Sequence, residues 1–164
     1  MKLNYNEDPG EVFKSKKANY KGQTTRRLKF MGYSAASVGP FILLGKKIKN
    51  DESGQVVLQH EHGHYLDYRE LGFFRYFIGI GLPSIINAKR KPVKRLIVGY
   101  YNQPWEAHAD VRAGVSRTEH TPEALVLCEA YYKYIASIKG KKWFKFLFKD
   151  IWKFIAHDFT ALEK

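Results

Sequence analysis

Apolar positions fall in a few well-separated blocks. SVGPFILLGKKIKN (37–50) holds a short continuous apolar run between Gly39-Pro40 and the turn-forming NDESG, which predicts a strand. Beyond that turn, Ser53 is placed to cap a helix from Gln55 to Leu71, which Gly72 stops. Residues 71–88, LGFFRYFIGIGLPSIINA, are the most apolar of all. Gly72, Gly79, Gly81, Pro83 and Arg75 interrupt them short of the roughly 20 apolar residues a spanning helix needs. They read first as a buried core segment, next as a membrane-surface segment and last as a true span.

Three further helices follow. One covers 102–114, with Asn102 as cap and Pro104 in its first turn. The next covers 121–140, with Thr121 as cap, Pro122 at its first position and Gly140 at its end; the last covers 142–157. Residues 1–30 are polar, basic and weakly patterned, and read as an irregular lead-in to a single domain over 31–164. The predicted class is α+β and mostly helical, with one strand or a small sheet upstream of the helices.

Composition narrows the partners. Lys and Arg outnumber Asp and Glu by 28 to 16, a formal charge of +12, which favours polyanions. Much of this charge lies in KSKKANYKGQTTRRLK near the start and KGKKWFKFLFKDIWKF near the end. Residues 141–159 set Lys142, Lys145, Lys149 and Lys153 at spacings of three and four among Trp, Phe, Leu and Ile, a basic amphipathic helix suited to a core face or to an anionic membrane surface. No nucleic-acid reader motif accompanies the charge. The lone Cys128 excludes an internal disulfide, and the first residues lack the apolar stretch of a secretory signal. Both favour a cytoplasmic protein, with peripheral membrane association in reserve.

The chemistry concentrates in VVLQHEHGHYLDY (56–68). His60 and His64 stand four residues apart on the predicted helix, so both imidazoles leave one face and can converge on one ion. Glu61 lies one position around, near enough to act as a base on water and poorly placed to ligate. His62 points about 200° away from His60 and falls outside the site. Gly63 costs about 1 kcal/mol of helix propensity, which predicts a close neighbour at that point. A catalytic zinc needs a third protein ligand. Glu106 shares a helix face with Asp110, so that one carboxylate can ligate while the other holds a histidine tautomer. Asp67 and His108 are the other candidates.

HEHGH followed by WEAHAD resembles the gluzincin branch of zinc metallopeptidases, over roughly residues 38–114. The resemblance implies a zincin-like active-site helix and one zinc per chain held by His60, His64 and Glu106. It further implies Glu61 as general base and Asp110 as partner of a ligand histidine. Phe41, Ile42, Leu43 and Leu44 would form an edge strand that binds an extended peptide substrate. A His or Tyr donor to the transition state is also implied, for which Tyr100, Tyr101 and His120 are the candidates. The competing expectation is a basic interaction module, at a membrane surface or on nucleic acid, with a structural or vestigial metal. A metal-dependent hydrolase of non-peptide substrates is the third.

Overall fold

The computed structural model describes residues 9–89, 99–156, 159 and 162. Residues 1–8 of the expected lead-in, residues 90–98 of the gluzincin-like segment and residues 157–158 of the expected C-terminal helix lie outside the described residues. The chain is α+β and mostly helical, as its pattern predicts. It groups into two compact units, Met1–Arg69 with Ala109–Val115 and Glu70–His108 with Ser116–Lys164.

The first unit opens with α1 (Pro9–Lys14), β1 (Lys17–Tyr20) and β2 (Gln23–Leu28), then β3 (Ala35–Val38) and β4 (Phe41–Gly45). Within the expected irregular lead-in, residues 9–28 therefore supply a short helix and half of a four-stranded sheet of order β1-β2-β4-β3. β1 and β2 form a hairpin pairing Tyr20 with Gln23 across Lys21-Gly22, whose φ angles of 44° and 84° are those of a tight hairpin turn. β2 then pairs in parallel with β4, and β3 pairs antiparallel to β4 across Gly39-Pro40.

Ile42 and Leu44 of β4 turn inward and meet Val12, Phe13, Tyr20, Ile48 and Leu58 in one core cluster. The Arg27 guanidinium fastens this layer by donating to the carbonyls of Phe13, Lys46 and Ile48. Helix α2 (Glu52–Tyr76) starts earlier than the sequence suggested, because Asp51, not Ser53, accepts the capping bond from Gly54 N–H at 2.9 Å.

Gly72 interrupts α2 as expected, with φ 76° and ψ 165°, a region essentially reserved for glycine. The helical run nonetheless resumes beyond it, through a π turn (Phe77–Gly81) into α3 (Leu82–Ala88). The run Glu52–Ala88 is long and apolar enough to cross a membrane by length and composition alone, at a mean hydropathy of 1.3 over its most apolar window. That measure is weak, since core helices of soluble proteins pass it too.

The second unit also contains the start of α4 (Pro104–Ala113), α5 (Pro122–Ser137), α6 (Lys142–Lys145), a π turn (Phe146–Asp150) and α7 (Ile151–Ile155). Thr121 caps α5 as expected, its hydroxyl accepting from Ala124 N–H at 3.2 Å. Asn102 does not cap α4. Its side chain instead bonds the backbone of Glu119 and Thr121, and the Gln103 carbonyl receives the first N–H groups of α4. The core here is aromatic: Tyr131 stands edge-on to Trp105 and Phe154, and its hydroxyl donates to the Gly79 carbonyl at 2.6 Å. Burial raises the Tyr131 phenol well above its ordinary range, so it remains a donor.

Candidate metal centre

Two helices build the site, and a glycine sets their spacing. A Cβ added to Gly63 would overlap the carbonyl of Ala109 on α4, so the two backbones touch where HEHGH has no side chain. This is the close neighbour that an unfavourable helical glycine predicts. The contact puts Asp110 against α2: its Oδ1 lies 2.8 Å from His60 Nδ1, with both side chains buried. Accepting the Nδ1 proton fixes the tautomer of His60 and leaves Nε2 as the nitrogen with which it would ligate. His64 stands one turn on, its ring 4.8 Å from that of His60 and nearly perpendicular to it.

Glu106 precedes Asp110 by one turn of α4. Ligand atoms of His60, His64 and Glu106 lie within 4.8 Å of one another, and all three residues are buried. Tetrahedral zinc with bonds near 2.1 Å holds its ligands about 3.4 Å apart. The donor set fits: two imidazoles and one carboxylate are a common catalytic zinc set. The group can hold a metal ion.

The other candidates are engaged elsewhere. The Asp67 carboxylate, fully buried, faces Arg112 at 3.6 Å. His108 stacks on Tyr132 with ring centroids 4.0 Å apart and has Glu129 at 3.9 Å. His62 turns to the sheet, its Nδ1 2.9 Å from Gln23 Oε1 and its ring edge-on to Tyr20. Burial, reinforced by Lys21 and Arg69, lowers its pKa to about 4 and keeps it neutral. Glu61 is buried beside His60. Of the candidate donors, Tyr101 lies under the Arg117 guanidinium, 3.6 Å from its ring centroid, and edge-on to Tyr100; His120 is half-buried in the loop before α5.

Two findings depart from the expected site. Phe41–Leu44 is not an edge strand, because β4 has β2 on one side and β3 on the other. Its backbone is committed to those ladders and has no open side to offer a peptide; the edges of the described sheet are β1 and β3. Ser84 of α3, unremarked in the sequence, donates to Glu106 Oε1 at 2.5 Å. The available signal was its position as the one Ser or Thr in the apolar block 71–88.

No family model matches this chain, and no curated protein or solved structure does either.

Proposed function

We propose that this chain is a zinc-dependent hydrolase, most simply a peptidase, whose centre is His60, His64 and Glu106. The observation that carries the reading is the buried two-histidine, one-carboxylate group with Asp110 on His60. HEHGH and WEAHAD, the two motifs of the gluzincin resemblance, are the segments that supply it. Zinc bound there would supply a Lewis acid for the scissile carbonyl and acidify the attacking water towards neutral pH.

The chain's own residues do the rest. Asp110 holds the His60 imidazole in its ligating tautomer. Ser84 steadies the Glu106 carboxylate by donating to Oε1. The Glu61 carboxylate takes the proton of the attacking water and passes it to the leaving amine. A metal with a purely structural role would give the buried Glu61 no such task.

The test couples metal content with turnover. Purified protein should carry about one zinc per chain, lost in His60→Ala and Glu106→Ala. Glu61→Gln should keep the metal while hydrolysis of casein or a peptide library falls about a thousandfold, within the usual range for removing a general base. Wild-type turnover by Glu61→Gln would overturn the mechanism.

A further inference from the structure

The C-terminal segment of the second unit has a face that its core does not use. Trp143, Phe146, Ile151, Phe154 and Ile155 are buried, whereas Phe144, Phe148 and Trp152 are 67%, 73% and 54% exposed. These three rings recur every four residues and share one side of the α6–π–α7 rod, each followed at once by an exposed lysine: Lys145, Lys149 and Lys153. Asp150, the only acid in residues 141–156, is turned inward. It accepts from the Tyr134 hydroxyl at 3.0 Å, and Lys145 approaches it at 3.6 Å. Among the described residues of this segment, the outer face therefore offers cations and aromatic rings with no exposed carboxylate.

A second group of exposed rings belongs to the same unit. Phe73 and Phe77 stack at 5.9 Å just beyond Gly72, and the neighbouring Phe74 packs edge-on against Trp143 at the start of α6. Exposed apolar patches of this kind mark docking surfaces. The lysines identify the partner. Protein–protein interface cores are depleted in lysine, whereas aromatic rings at the acyl boundary with lysines reaching phosphate headgroups is the arrangement of an interfacial helix.

We infer that the second unit docks on an anionic lipid bilayer through Phe144, Phe148 and Trp152, with Lys145, Lys149 and Lys153 on the headgroups. This inference is independent of the metal centre. Trp152 provides the readout, because Trp105 and Trp143 are buried and Trp152 is the exposed indole.

The full chain is mixed at low salt with vesicles of phosphatidylcholine, alone or with a third phosphatidylserine. Co-sedimentation only with the anionic vesicles, together with a blue shift of Trp emission that Trp152→Phe abolishes, is the expected result. Replacing Lys145, Lys149 and Lys153 by Gln should weaken binding about a hundredfold, roughly fivefold per lysine near a charged surface. The same triple replacement at Lys14, Lys16 and Lys46, which line one shallow basic hollow of the first unit with Arg27, should change it little. Failure to bind anionic vesicles overturns the inference, as does binding without a Trp152 shift or binding lost through the first-unit lysines. If the triple variant loses retention of RNA while vesicles never bind, the face belongs to nucleic acid. A concentration-dependent dimer that shields Trp152 without lipid assigns it to a second copy of the chain.

Discussion

The helical run from Glu52 to Ala88 divides at Gly72 into halves that invert the usual rule of burial. Before the glycine, His60, Glu61, His62, His64 and Asp67 are buried; after it, Phe73, Phe74, Phe77 and Ile85 are exposed. Buried polar groups persist only when other groups satisfy them, and α2 supplies partners from Asp110, Gln23 and Arg112. Exposed aromatics need no such partners, but their clustering is informative because scattered apolar side chains are the norm on any surface. One run of helix can therefore depart from the inside-outside pattern in two opposite ways.

A methyl group added at each of the two glycines should have very different effects. Gly63→Ala should abolish metal retention and destabilise the fold by about 3 kcal/mol, because its methyl overlaps the Ala109 carbonyl and backbone cannot rotate away. Gly72→Ala has open space around it and only a backbone conformation to strain, at about 2 kcal/mol, and should leave metal content intact. Metal analysis beside thermal denaturation separates the two. Equal metal loss in both would mean that the close approach of α2 and α4 does not set the site.

Smaller effects sharpen the polar half. Asp110→Ala should weaken zinc binding between about tenfold and a hundredfold, as removal of a histidine's orienting carboxylate usually does. Ser84→Ala should weaken it only about fivefold, the equivalent of one ordinary hydrogen bond near 1 kcal/mol. Competition with a zinc chelator ranks the pair, and a larger loss for Ser84→Ala would reverse their assigned weights. His62→Gln should leave zinc affinity unchanged and lower stability by about 1 kcal/mol through its bond to Gln23. Loss of metal in that variant would bring His62 into the centre. Least of all, Phe148→Ser should shift stability by less than about 0.5 kcal/mol, since its ring is solvent-exposed.

How much of this was legible follows from what each feature depends on. The spacing of His60 and His64 is local, and helical geometry alone aligns them. Gly63 announced a close contact through its poor propensity, although the partner's identity lay 46 residues away in Ala109. β1 and β2 were missed because their inward positions are Tyr20, Gln23 and Thr25, which give no apolar alternation. The readable cue was Lys21-Gly22, a hairpin turn between two polar runs. That β4 is interior could not be read from FILLG, because its parallel partner β2 pairs across an intervening connection. Asn102 and Thr121 show the limits of capping rules: both types suit a cap, yet a tertiary bond draws Asn102 away.

The first unit is discontinuous in the chain, completed by residues 109–115 after a long excursion. A growing polypeptide must therefore reach its hundred-and-fifteenth residue before that unit has all its parts. Before α4 is made, the imidazole of His60 lacks Asp110, and the notch at Gly63 lacks the backbone that fills it. Fragments ending ahead of α4 are consequently poor candidates for separate production, however orderly their sheet.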